Sequence, residues 1–144
     1  MTKKQAALEL AQLITLTGKP SEDSVTMPVS LFNKMLQLAF DGAFSEKWYL
    51  DSYPDVNEAV EDGVVDSGLS HYVGSGIYEG RFPFELKLDA QNYVSTHEDV
   101  GEAIQDGFFE NAHDHFLNIG YSEGRRFKLK PPPTGNKNRK TTRT

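Results

Sequence analysis

The chain contains no cysteine. Disulfide scaffolds, Cys-ligated zinc, iron–sulfur clusters and thiol catalysis are thereby excluded. It also has no apolar run approaching the roughly 20 residues of a membrane-spanning helix. The stretch after Lys3 and Lys4 is interrupted by Glu9 and Gln12, and no A-x-A-like site follows. That is a poor secretory leader, and a cytoplasmic location is expected. Positive charge is scarce: 15 Lys and Arg face 21 Asp and Glu, a net of −6 over 144 residues. Phosphate binding needs a cationic face, so nucleic acid is not expected as a partner of the folded part. No alternating strand pattern competes with helical spacing. Gly74-x-Gly76 and Gly76-x-x-x-Gly80 lack the strand–loop–helix setting and Lys-Ser/Thr ending of a phosphate loop.

The scarce positive charge is unevenly placed. Residues 128–144 hold six basic residues, Lys128, Lys130, Lys137, Arg139, Lys140 and Arg143, and no acid. That leaves nine basic against 21 acidic over 1–127, a net of −12. After Leu129 this segment has only the Pro131–Pro133 run and small or polar residues. It cannot offset its own ordering entropy, which predicts a disordered basic tail over 128–144. Two amphipathic helices are predicted within 1–43. In the first, Leu8, Ala11, Leu13, Ile14 and Leu16 form the inner face, with Gln5 and Gln12 opposite and Gly18 and Pro20 as the stop. In the second, Ser30 caps a helix from Leu31 to about Phe40, with Leu31, Met35, Leu38 and Ala39 inside, widened by Phe32 and Leu36.

The strongest signal is an internal repeat of period 44. Phe44–Arg81 and Leu88–Arg125 align without a gap. Identical pairs are Tyr49/Tyr93, Asp55/Asp99, Val56/Val100, Glu58/Glu102, Ala59/Ala103, Asp62/Asp106, Gly63/Gly107, His71/His115, Gly76/Gly120, Glu79/Glu123, Gly80/Gly124 and Arg81/Arg125. The organisation is thus 1–43 N-terminal helices, 44–87 repeat 1, 88–127 repeat 2 and 128–144 tail. Each repeat is predicted to hold three helices. The first follows Ser45, the second has Pro54 at N1 and stops at Gly63, and the third starts after Ser67 (Asn111 in repeat 2) and ends at Gly76. A Glu79-Gly80-Arg81 corner then returns the chain. The expected fold is all-α.

Several groups of residues invite a functional reading. His113, Asp114, His115 and Glu110 suggest a metal, but Leu69 stands at the first-repeat position of His113. Only His71 and His115 recur, which favours hydrogen-bonded structural histidines and no metal. Glu79/Arg81 and Glu123/Arg125 recur at a turn, which predicts a structural bridge, Arg81 to Asp55 and Arg125 to Asp99. Asp62 and Asp66 resemble a glycosidase pair, but acids are 21 of 144 residues and such pairs arise freely. Trp48, Tyr49, Tyr53, Tyr72 and Tyr78, with Arg81 and Arg125, are the candidate ligand-binding residues; regular aromatics are also what a core needs.

The pattern W-Y-L-x-x-Y-P-D-V-x-x-A-V-x-x-G, followed by S-G-x-x-H-Y-x-x-x-G-x-x-E-G-R, resembles a repeat of bacterial exopolysaccharide and glycosyltransferase-associated proteins. The resemblance covers about residues 44–127. Repeat 2 departs from it, with Thr96-His97-Glu98 for Ser52-Tyr53-Pro54 and Asn92 for Trp48. The resemblance implies an accessory module without catalytic residues or cofactor. Its partner would be a polysaccharide synthase or export component. Carbohydrate binding through the repeat aromatics is the alternative, and a small subunit of a glycan-modifying enzyme ranks last. The N-terminal helices are expected to pack on the repeats or on a second copy.

Overall fold

The computed structural model describes residues 1–17 and 25–133. It is all-helical, with eight helices among the described residues and one isolated two-residue bridge in place of any strand. Helix α1 spans Lys3–Thr17 and α2 Val29–Phe40. Repeat 1 supplies α3 (Glu46–Ser52), α4 (Pro54–Glu61) and α5 (Gly68–His71). Repeat 2 supplies α6 (Ala90–Thr96), α7 (Glu98–Gln105) and α8 (Ala112–His115). The last helix of each repeat runs on into a π-helical turn, Tyr72–Gly76 and Phe116–Gly120. The expected stop at Gly18 and Pro20, and the tail beyond Pro133, lie outside the described residues.

The repeat boundaries follow from local chemistry. Ser45 and Asp89 cap α3 and α6, each accepting from the backbone N–H three residues on. Ser67 and Asn111 do the same for α5 and α8. Pro54 sits at the start of α4, where its missing N–H is not needed. Gly63 and Gly107 have φ of +70° and +81°. Around them Val64 N–H reaches Ala59 O at 2.9 Å and Gly63 N–H reaches Val60 O at 3.1 Å, a Schellman closure that repeat 2 copies. The Glu-Gly-Arg corners are the same device, with Gly80 and Gly124 both at φ +72°.

Gly76 and Gly120 do a different job from the predicted one. The chain continues past them in helical conformation, with Ile77 and Tyr121 still in αR, and the true stops are Gly80 and Gly124. Their constraint is space. A Cβ on Gly76 would collide with the Tyr49 hydroxyl, and one on Gly120 with the Tyr93 hydroxyl.

Both N-terminal helices are rotated from their predicted faces. In α1 the buried set is Gln5, Ala7, Leu8, Ala11 and Gln12, while Leu13 and Leu16 are exposed. The glutamines face inward because α1 lies across both Glu-Gly-Arg corners, where backbone carbonyls need donors. Gln12 Nε2 donates to Tyr121 O at 3.3 Å and Arg125 O at 3.1 Å. Thr15 Oγ1 donates to Ile77 O, the matching carbonyl of repeat 1, at 2.8 Å. Gln5 donates to Phe127 O at 3.1 Å and accepts from Leu129 N–H at 2.7 Å. In α2, Leu36 and Phe40 are buried and Phe32 is half-buried. Phe40 meets Tyr72 edge-on at 5.1 Å. The predicted inner residues Leu31, Met35, Leu38 and Ala39 are exposed, and Ser30 is not a cap, since α2 starts at Val29.

Each repeat is closed by the segment that follows it. Ser45 N–H donates to Pro83 O at 3.0 Å, and Asp89 N–H to Lys128 O at 2.8 Å. Leu88 and Leu129 form the isolated bridge, with Lys130 N–H on Lys87 O at 2.7 Å. Lys128–Lys130 therefore belong to repeat 2, and the chain leaves this pairing at Pro131 rather than at Lys128. Leu129, the last large aliphatic side chain, is half-buried against the core.

Candidate functional site

The residues that recur in both repeats form one network, built twice. The Tyr49 hydroxyl is hydrogen-bonded to His71 Nδ1 at 3.0 Å, and Tyr93 to His115 Nδ1 at 3.0 Å. Each phenol lies over the bare backbone of Gly76 or Gly120. Burial pushes Tyr49 above the usual phenol range and Tyr93 up to about 12, so both keep their protons. Burial, joined by the Arg125 charge, holds His115 below its ordinary value and favours the neutral ring.

The recurrent arginines are equally occupied. Arg81 grips Asp55 through two bonds of 3.0 and 2.7 Å, and its Nε reaches Glu79 at 2.6 Å. Arg125 does the same with Asp99 at 2.9 and 2.7 Å and with Glu123 at 2.7 Å. The bidentate bond from Arg81 is the main cause that lowers Asp55 to about 2, and Asp99 is lowered for the same reason. The predicted Arg–Asp bridges are present in both units. They tie the corner at the end of each repeat to the start of its second helix.

The five candidate aromatics do not form one platform. Tyr49 and Tyr72 are fully buried core residues with no face for a ligand. Tyr53 is half-buried, accepts from Phe82 N–H at 2.9 Å and lies under the Arg81 guanidinium at 4.8 Å. Trp48 is half-buried and Tyr78 is exposed. Among the described residues no group of three or more His, Asp and Glu side chains is placed to hold a metal ion. His113 instead donates from Nε2 to Leu86 O at 3.2 Å. No described helix is long and apolar enough to cross a membrane.

The outer face of α2 is open to a partner. Leu31, Met35 and Leu38, at i, i+4 and i+7, make a stripe on the side away from Phe32, Leu36 and Phe40. They are 50, 50 and 66 % exposed. The only charged residue in α2 is Lys34. A helix that is apolar on both sides is one that has surfaces to cover on both sides. Periodicity counted these residues as core; only the position of repeat 1 shows which of the two apolar faces is taken. No family model, curated protein or solved structure matches the chain.

Proposed function

We propose that this protein is a non-enzymatic interaction module that docks a partner protein on the outer face of α2. The observation that carries this reading is the doubly apolar α2, with Leu31, Met35 and Leu38 outward and Leu36 and Phe40 inward. The recurrent polar residues add to it, because they are spent on internal bonds. His71, His115, Arg81 and Arg125 each hold a partner within their own repeat. The repeats serve as a rigid base that presents α2. The partner we propose is a synthesis or export component of a bacterial surface polysaccharide, a reading supported by the resemblance of the repeat pattern to exopolysaccharide and glycosyltransferase-associated proteins. Binding of glycan by the repeat aromatics as a set loses its basis, since Tyr49 and Tyr72 are core.

A photo-crosslinking residue at Leu38, expressed in the native host, identifies what lies on this face. The captured protein is then purified and titrated against wild type and Met35→Glu/Leu38→Glu. We expect an affinity loss of at least about tenfold with an unchanged melting temperature, since both side chains are exposed. Unchanged affinity, or adducts that join only two copies of this chain, overturns the reading.

A further inference from the structure

We infer that the groove between the N-terminus of α1 and the first helix of repeat 1 binds an acidic glycan, a chain of sugars that carry carboxylates. The groove encloses about 490 Å³. It is lined by Lys3, Lys4, Lys87 and Lys130 against a single acid, Glu85. All four lysines are exposed, and none has an ion pair among the described residues. In a chain with six more acids than bases, four unpaired cations along one groove are a local reversal of the field. The acidic excess over residues 1–127 disfavours a polyanion on most of the folded surface, which adds to the contrast at this position. The site is separate from the α2 face and stands or falls independently of it.

The groove also holds Trp48, the chain's single tryptophan. Its ring lies edge-on to Tyr53 at 6.1 Å and is half-buried, which fixes its orientation and leaves part of it facing the groove. Pro131–Pro133 supply further apolar wall. A pyranose ring has one face of C–H groups that stacks on indole, while a carboxylate at its rim pairs with ammonium. Lysine suits this because it is a mobile point charge that needs no fixed bidentate geometry. A single strand of nucleic acid calls for several stacking aromatics in succession. Here the other groove aromatic, Phe84, is buried beneath Lys4 at 5.0 Å. An acidic peptide explains the lysines and leaves the indole without a role. In repeat 2 the residue matching Trp48 is Asn92, and it lines a wider groove of about 1030 Å³ beside Arg126 and Lys128. The indole is therefore a feature of the first-repeat side alone, and the lysines of α1 and of the 128–130 segment complete the groove around it.

Trp48 fluorescence reports on the groove directly, because no other tryptophan contributes. Polygalacturonate and alginate titrated into the full chain should give a saturable change. That response should weaken about tenfold or more between about 20 and 200 mM salt, since exposed charges are screened. Dextran, poly-glutamate and oligo(dT) should give no comparable response. Lys87→Glu/Lys130→Glu should cut polygalacturonate affinity at least tenfold at an unchanged melting temperature. Trp48→Asn, the residue that the second repeat already carries, should cut it at least fivefold in affinity electrophoresis. An equal response to poly-glutamate reassigns the groove to acidic protein segments, and one to oligo(dT) to nucleic acid; either overturns the inference. So does wild-type affinity in both variants, or no response to either uronate polymer.

Discussion

The two repeats share one scaffold and differ in how they finish it. At the position of Tyr53, which accepts a hydrogen bond from Phe82 N–H at 2.9 Å, repeat 2 has His97. His97 donates from Nε2 to Arg126 O at 2.8 Å, and Arg126 is the residue that matches Phe82. The polarity of the bond is reversed and the tie survives. Glu46 in repeat 1 accepts from Gly68 N–H at 2.5 Å and Leu69 N–H at 3.1 Å, holding the start of α5. Repeat 2 has Ala90 and Ala112 at the positions of Glu46 and Gly68, so carboxylate and bare glycine are exchanged together. A Cβ on Gly68 would stand 3.0 Å from Glu46 Oε1, so the carboxylate and the bare glycine fit together. At Tyr53/His97 the tie survives a change of chemistry, and at Glu46/Ala90 it is given up; the Tyr–His–Gly and Arg–Asp–Glu sets, in contrast, are the same in both repeats.

The largest expected effect strikes the invariant part. Gly76→Ala and Gly120→Ala should each cost about 3 kcal/mol, because the Cβ drives the phenol off its histidine as well as overpacking the site. Tyr49→Phe should recover part of the Gly76→Ala loss, a non-additivity that a double-mutant cycle in urea reads directly. If the two substitutions simply add, the phenol is not what requires the glycine.

Next, His115→Gln should cost about 2 kcal/mol, and His71→Gln less, since His115 is the more deeply buried of the two. The pH dependence has a definite sign. His115 is held below its ordinary value of 6.5 in the fold, so the unfolded chain binds the proton first. Its contribution is whole above about pH 6.5 and is lost as pH falls through that value toward the folded one. The melting temperature of wild type should decline across that window, and His115→Gln should flatten the decline. Asp55 and Asp99 act in the same direction lower down, with Asp55 losing its contribution between its ordinary 3.8 and about 2.

A smaller effect sharpens the paired exchange. Glu46→Ala should cost about 1 kcal/mol, the usual worth of a cap. Ala90→Glu in repeat 2 should gain nothing, because the Ala112 methyl occupies the place the carboxylate would take. A gain there would mean that the two changes are unrelated.

The smallest effect has the opposite sign. The Tyr72 hydroxyl is buried and has no hydrogen-bond partner among the described residues, whereas repeat 2 has Phe116 at that position. Tyr72→Phe should be neutral or raise stability by up to about 1 kcal/mol in thermal melts, since it removes an unpaired buried polar group.

Much of this fold was legible because it is written in short-range chemistry. Ser45, Ser67, Asn111, Pro54, Gly63 and Gly107 act within a few residues of themselves, and they sit where their types predict. The Arg–Asp bridges were legible because duplication showed the same pair twice at the same separation. The faces of α1 and α2 were not legible, because they depend on what each helix lies against. Gln5 and Gln12 are core residues only because α1 covers bare carbonyls, and periodicity treats an inward amide as an outward one. The candidate site suffered similarly: Tyr49 and Tyr72 are indistinguishable from ligand-stacking tyrosines until the packing is known. The lysine groove draws on residues 3, 4, 87 and 130, whose approach no local pattern encodes.

The π-helical turns Tyr72–Gly76 and Phe116–Gly120 are places where the chain length has slack. In each, a backbone N–H reaches five residues back, as Ile77 does to Tyr72 O at 2.8 Å and Tyr121 to Phe116 O at 2.9 Å. Relative to an α-helix, such a turn winds one surplus residue into nearly the same rotation. Excising one exposed residue, Gly74 or Ser75, would let the turn relax to ordinary α geometry and leave the flanking segments close to their present phase. Arg81 would stay within reach of Asp55, and the Gly80 corner would still face α1. In α4, by contrast, a one-residue deletion turns everything beyond it by about 100°. The turn works like a tuck in cloth, holding spare length without changing where the edges lie, and a one-residue deletion there should be milder than the same deletion in α4.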